Sequence, residues 1–571
     1  MRKTILVLCM ALLAVGMIWA EGQAEAGDGA EPIATEFPRS ETLYTSGTMW
    51  GPPNSWNPLI NSNQATGTRG LVYESLFLYD PLADEYIPWL ATDGEWINDT
   101  QYELTIRDGV TWSDGEAFTV EDVVFSFEVH DMYPTHQSDL WAYLDSVEAV
   151  DDSTVRFTFG ETLYHQWDNT LFMLFMIPEH IFSEYSEQEA VGGSNANPVG
   201  TGPYLYETHQ EDRQVWRKNQ NWWAIDALGL EPEPRYIIDI RNSSNNVALG
   251  QVLQGQLDLS NNFLPGIATL IDQGYPIGTY YSEEPYMLSA NTAWLVPNLT
   301  REPLDDVDFR HALASSINVG QIVEVAYANI VQAANPTGLL PTYDQYIDWN
   351  LVEEIGFSYD PDEARQILAD AGYEDTNDDG FVETPDGDEI ELSVIVPFGW
   401  SDWMEAARII AAGARDVGIN LQAEFPDAPS VDDARTTGDF DLVVNNWSAL
   451  SDTPWTYYEF LFSDPIQENM YSGNFGRYDN ERAFELVDEL DTIPKDNLSE
   501  LREVLSELQR ITMEDLPMIP MWYNGLWAQW NSNYWTNWPS SETDNNYLPS
   551  SWDNYWQMGG ILMLCELEAV E

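Results

Sequence analysis

The chain has 571 residues, 44% of them hydrophobic and 13% aromatic, which is enough apolar surface for large buried cores and too much for a disordered chain. Its 22 Lys and Arg stand against 96 Asp and Glu, a formal net charge of −74. That balance excludes binding to nucleic acid or to an anionic membrane surface, both of which need clustered cations. The acids are spread along the whole chain, the pattern of a solvated acidic surface suited to high salt, where screening suppresses self-repulsion.

At the N-terminus, Arg2 and Lys3 precede an apolar run from Ile5 to Ala20, and polar EGQAEAGDGAEP follows at once. This predicts a secretory signal peptide over 1–20 and a flexible tether over 21–38, hence a periplasmic or extracellular protein. Of the two cysteines, Cys9 lies inside the apolar run and Cys565 is left alone, so neither a disulfide nor a cysteine metal site is expected. No later stretch approaches the length of a transmembrane helix. Strand-like and helical runs then alternate to the end, which predicts an α/β fold with mixed sheets. Thr119 and Asp122 form a capping arrangement that opens a helix with Val123, Val124 and Phe127 on its apolar face. Strands are predicted at Val155–Phe159, Leu392–Val396 and Leu442–Val444. Between them, Asp360 and Pro361 start a helix that Gly372 ends. Another begins at Asn497 and carries Leu498, Leu501, Val504, Leu505, Leu508 and Ile511 at helical spacing.

One loop has the ligand order of an EF-hand-like calcium site. Asp375, Asn377 and Asp379 occupy its first, third and fifth positions, and Gly380 its sixth. Phe381 offers its carbonyl at the seventh, Glu383 an acid at the ninth and Asp386 another at the twelfth. It leads into a strand rather than a second helix, so the readings are a structural Ca²⁺ site or an acidic turn. The six histidines show no zinc-ligand spacing, and neither a phosphate loop nor a nucleophile elbow occurs.

Four stretches carry a family pattern: DGVTWSDGEAFTVEDVVFSFE (108–128), NPVGTGPY (197–204), DFRHALASSIN (308–318) and DLPMIPMWYN (515–524). In order and spacing they resemble family 5, the peptide/nickel type, of the solute-binding proteins of ABC importers. SGTMWGPPNSWNPL (46–59), the segments at 244–266 and 383–404, TPWTYY (453–458) and YWTNWP (534–539) are similar to the cellobiose and β-glucan-oligosaccharide branch. The resemblance implies a two-lobed periplasmic-binding-protein-like fold, with mixed sheets flanked by helices and a hinge between the lobes. One lobe is expected over 39–287 and 522–571, and a second over 288–521. It also implies a monomer that needs no cofactor for function, catalyses nothing, and meets the membrane only through an ABC transporter permease.

Peptide binders of this family hold the ligand's ammonium with an aspartate in a pattern like W-x-A-D-Y-x-x-P. Here Trp447–Pro454 corresponds, and Leu450 occupies the acid's position, although Asp452 is near. An ammonium buried without a counter-charge is costly, so this departure points to a neutral ligand. A neutral sugar needs flat aromatic platforms and uncharged donors and acceptors. The expected ligand contacts are Trp50, Trp56, Asn57, Asn245, Asn246, Asn262, Trp400, Trp403, Asn446 and Trp455, with cellobiose or another β-linked gluco-oligosaccharide as ligand. An oligopeptide receptor and an exported glycoside hydrolase are the competing readings.

Overall fold

The computed structural model describes residues 37–49, 51–60, 64–135, 137–448, 450–471, 473–552 and 555–570. The expected signal peptide and most of the tether lie outside the described residues, as does Trp50. Among the described residues, no helix is long and apolar enough to cross a membrane.

Two mixed sheets carry the fold. The first has seven strands in the order Ile277–Thr279, Gln529–Asn531, Leu259–Ser260, Thr42–Ser46, Tyr236–Ile240, Arg213–Lys218, Tyr204–Gln210. Thr42–Ser46 pairs parallel with both its neighbours, and the outer strands are antiparallel. The second has six: Gln332–Ala333, Ile519–Leu526, Leu288–Pro297, Leu442–Ser448, Leu392–Ile395, Leu421–Glu424. Its long strand Leu288–Pro297 runs antiparallel to Leu442–Ser448 and Ile519–Leu526, with Leu392–Ile395 parallel to the strands on either side. The chain passes from the first sheet to the second between Thr279 and Leu288, and returns between Leu526 and Gln529. A four-stranded antiparallel sheet, Ala91–Asn98, Gln101–Ile106, Thr154–Phe159 and Leu144–Ala149, extends the first lobe.

Hydrophobic burial follows these sheets. One core joins the four-stranded sheet to the first large sheet through Tyr102, Phe157, Phe159, Trp167 and Trp216. A second runs from the helix Asn245–Leu253 to the six-stranded sheet through Ala248, Val252, Leu264, Leu295 and Val394, giving the crossing a continuous apolar floor. A third lies on the other face of the six-stranded sheet, around Trp294, Val443 and Tyr523. Within the first core, the fully buried carboxyl of Glu74 accepts hydrogen bonds from three indoles: Trp89 at 2.9 Å, Trp222 at 3.1 Å and Trp223 at 2.8 Å. Burial raises its pKa, while the indole donors oppose the rise.

The helix ends form where local chemistry places them. Asp122 accepts from the Thr119 amide at 2.9 Å at the head of Val120–Met132. Asp360 accepts from the amides of Asp362 and Glu363, both at 3.0 Å, ahead of Pro361–Asp370. Gly372 follows at φ +89°, the left-handed conformation that favours glycine past a helix end. The helix Leu498–Asp515 buries Leu501, Val504, Leu505 and Leu508 as its spacing predicts.

Candidate functional site

A cavity of about 200 Å³ opens where the two large sheets meet. The parallel strands Thr42–Ser46 and Leu259–Ser260 end side by side there and deliver Gly47 and Thr48, then Asn261, Asn262 and Phe263. The two chains touch: a Cβ on Gly47, at φ +99°, would lie 2.4 Å from the Asn261 carbonyl carbon. The opposite wall comes from the second lobe, with Trp400, Asp402 and Trp403 at the head of the helix Ser401–Asp416, and Asn446 on the strand Leu442–Ser448. Asn524 lines it from the strand Ile519–Leu526, Trp527 from the crossing that follows, and Trp552 from the C-terminal segment.

Its polar groups are held in fixed orientations. Asn262 is 2% exposed, and its Oδ1 accepts from Ser46 Oγ at 3.1 Å and Ser260 Oγ at 3.3 Å. Its Nδ2 is buried and has no acceptor among the described residues, which leaves one donor in the wall for a ligand to meet. Asn245 donates through Nδ2 to Asp402 Oδ1 at 3.0 Å and to Ser401 Oγ at 3.3 Å, and through its main chain to the Gly399 carbonyl at 3.1 Å. Tyr327 donates to the other oxygen of Asp402 at 3.2 Å. Burial pushes the Asp402 carboxyl up to about 6, against the pull of these donors. Asn446 donates to Asn291 Oδ1 at 2.9 Å. Among the described residues, the lining contains one carboxyl group and no Lys or Arg.

The aromatic residues divide by burial. Trp403 is 4% exposed and meets Trp400 edge to face, with ring centroids 4.8 Å apart. Trp527 lies parallel to Tyr327 at 5.9 Å, and Phe263 sets its edge against both. Trp400 and Trp552 are only half-buried and both line the cavity, so these two are the indoles best placed to meet a ligand.

Of the ten residues expected to contact ligand, Asn245, Asn262, Trp400, Trp403 and Asn446 line this cavity. Four lie elsewhere. Trp56 is 3% exposed and packs on Tyr206 and His209, with centroids 4.6 and 4.8 Å away. Asn57 is buried beside it and donates to the carbonyls of Glu189 and Ala190 at 3.2 and 2.9 Å, a structural tie between loops. Trp455 opens the helix Trp455–Leu461 and points into the third core. Asn246 is exposed, because one helical step turns it away from the face that Asn245 presents. Asp402, Phe263, Trp527 and Trp552 were not expected. Asp402 had a signal, since it stands between two named tryptophans in Trp400-Ser-Asp-Trp403, whereas Trp552 had none.

Leu450 is half-buried against the third core and a smaller neighbouring cluster. The Asp452 side chain is 1% exposed, lies 3.4 Å from Lys495 Nζ and does not line the cavity. The nearby acid is therefore already paired with a cation.

In the acidic loop, carboxylate oxygens of Asp375, Asp379 and Glu383 lie within 4.8 Å of one another and can hold a cation. Asn377 Oδ1 accepts from the Asp379 amide at 2.9 Å, as Asp375 Oδ2 accepts from the Gly380 amide at 2.9 Å. Asp386 does not join the three: it sits in the following turn, closed by Gly387 N–H to the Thr384 carbonyl at 2.8 Å.

Residues 85–469 match the middle region of the bacterial extracellular solute-binding proteins, family 5. A crystal structure of a periplasmic oligopeptide-binding protein of Thermotoga maritima, bound to mannohexaose, superposes with a TM-score of 0.91. It is 43% identical and covers 93% of this chain and 99% of that one. The oligopeptide-binding protein AppA of Bacillus subtilis is 23% identical over 91% of this chain and 94% of its own. The periplasmic alpha-galactoside-binding protein of Rhizobium meliloti is 23% identical over 73% of this chain and 68% of its own. A two-lobed α/β fold, two sheets that meet at a cavity, and a family match over most of the chain lead to one assignment: this protein belongs to family 5 of the bacterial extracellular solute-binding proteins.

Proposed function

We propose that this receptor takes a neutral hexose oligosaccharide, with cellobiose and other β-linked gluco-oligosaccharides as its first choice, and hands it to an ABC permease. The observation that carries the reading is the cavity wall of half-buried indoles and fixed amides, in which, among the described residues, Asn262 Nδ2 has no acceptor and no cation lines the cavity. Indole faces match the C–H face of a pyranose, and the amides match its hydroxyls. The Thermotoga protein, 43% identical, carries mannohexaose and so supports an oligosaccharide. Membership in a family of binding proteins sets the exported hydrolase reading aside.

The competing ligand is an oligopeptide. AppA is named for one, and Asp402 puts a carboxyl in the wall that can face an ammonium. Calorimetric titration with cellobiose, cellohexaose, mannohexaose and a tripeptide separates the two. We expect heat from at least one sugar, none from the tripeptide and no glucose release from cellobiose. Binding of the tripeptide with silence from every sugar refutes the assignment. For the acidic loop we propose a structural Ca²⁺ site built on Asp375, Asp379 and Glu383, remote in sequence from every cavity residue except the Trp400 segment.

A further inference from the structure

The helix Tyr164–Met173 begins without a cap of its own. Leu163 stands at its N-cap position and offers no side-chain acceptor. A first turn left in this state has amide donors to satisfy. Asp491 supplies the acceptor from 326 residues away. Its Oδ1 accepts from the amide of His165 at 2.7 Å and of Gln166 at 3.0 Å, the second and third helical positions that an N-cap side chain ordinarily serves.

The two helices belong to different lobes. Trp167 and Leu171 root Tyr164–Met173 in the core of the four-stranded and seven-stranded sheets. Ala483, Leu486, Val487 and Leu490 root Glu481–Asp491 in the core beneath the six-stranded sheet. Asp491 is the last residue of its helix and 2% exposed, so its carboxyl does nothing for its own N-terminus. Its surroundings repeat the crossing. Thr453 Oγ1 is 3.0 Å from His165 Nδ1, and Asn169 donates to Thr456 Oγ1 at 3.2 Å. Lys495 Nζ lies 3.4 Å from Asp452 and 3.9 Å from Asp84 of the first lobe. None of these residues lines the cavity.

We propose that Asp491 is the latch of the closed receptor: it caps a first-lobe helix from the second lobe, so that closure completes a helix end that opening exposes. The proposal rests on the receptor reading only in treating closure on a solute as the step that the latch favours. Asp491 is thus a positioning residue that sets affinity without touching ligand.

The test compares wild type, Asp491→Ala, Asp491→Asn and the exposed control Glu485→Ala. Asp491→Ala is expected to raise the Kd for mannohexaose or cellohexaose about tenfold, the scale of one lost cap, with the change carried by faster dissociation. Asp491→Asn keeps an accepting oxygen and is expected to stay within about threefold of wild type, the smaller effect of keeping part of the cap. Glu485→Ala is expected to match wild type. Hydrogen exchange in the 164–173 peptide and the ligand-free radius of gyration are read in parallel, and both are expected to rise in Asp491→Ala. A merely structural Asp491 would lower the melting temperature of the Ala variant and leave its dissociation rate unchanged, which overturns the latch. If wild type binds no sugar, the sugar reading falls. Exchange and scattering then decide the latch alone: equal values in wild type and Asp491→Ala overturn it.

Discussion

Trp400 and Trp403 stand side by side in the cavity wall, yet their removal should have opposite signatures. Trp400 is half-buried and lines the cavity, whereas Trp403 is 4% exposed and belongs to the core that floors the crossing. A sugar ring that covers about 80 Å² of indole face gains about 2 kcal/mol at roughly 25 cal/mol per Å². Trp400→Ala is therefore expected to weaken binding about 30-fold, since 1.4 kcal/mol is about tenfold. Its melting temperature should change little, because the ring it loses was already partly in water. Trp403→Ala should cost about 3–5 kcal/mol of stability, the range for deleting a large buried aromatic residue. Trp400→Phe keeps a smaller platform and should fall between wild type and Trp400→Ala. The assay pairs calorimetric titration with cellohexaose or mannohexaose and thermal unfolding of the same samples. Trp400→Ala that binds within about twofold of wild type would refute both the platform role and the area argument behind it.

Four further outcomes follow from burial and charge. Glu74→Gln should lower the melting temperature, because a side-chain amide keeps one acceptor oxygen and turns its NH₂ against an indole donor now 2.8–3.1 Å from a carboxylate oxygen; the cost is about 1–3 kcal/mol, and an unchanged melt would count against the three-indole node. Burial holds Asp239 and Asp402 at about 6 and Asp491 at about 8, above their unfolded value, so their stabilising contribution is complete below about pH 4 and is lost as pH rises through about 6 and then about 8. One carboxyl raised to about 6 is worth about 3 kcal/mol over that window, and melting temperatures that climb from pH 5 to pH 8 would contradict the sign. Calcium at fixed ionic strength should raise the melting temperature relative to chelator, and Asp379→Asn should abolish the difference; equal melts leave the loop an acidic turn. A net charge of −74 predicts a steep gain in thermal stability from low to molar salt, and a flat profile would reject the high-salt reading.

What could be read from the sequence was local. The cap at Asp360 and the stop at Gly372 need only neighbours within a few residues, and both formed as the spacing implied. The missing cap at Leu163 was just as local, but its remedy lies 326 residues away, beyond any periodicity. The tryptophans show the same limit. Trp56 and Trp400 both sit in short loops beside polar residues, and nothing in those loops says which ring faces solvent. That depends on what packs behind it: Tyr206 and His209 cover Trp56, while one side of Trp400 faces the cavity. Asn245 and Asn246 are adjacent in sequence and separated by a helical turn angle that only the helix start at Ser244 could reveal.

The close approach at Gly399 bears on what can tune this receptor. Its φ is +95°, and a Cβ there would lie 2.5 Å from the Ser243 carbonyl oxygen, while the Asn245 amide donates to the Gly399 carbonyl at 3.1 Å. At Gly399 itself the lobes approach as peptide backbone against peptide backbone, and the glycine has no side chain to trim. Ligand reach therefore cannot be adjusted there by ordinary substitution: shortening gains no space, and lengthening prevents the lobes from meeting. In this chain the room for a solute is set instead around Trp400, Asp402 and Trp552, where side chains, not main chain, form the wall. An engineer who wants a wider pocket should begin at those positions and leave Gly399 untouched.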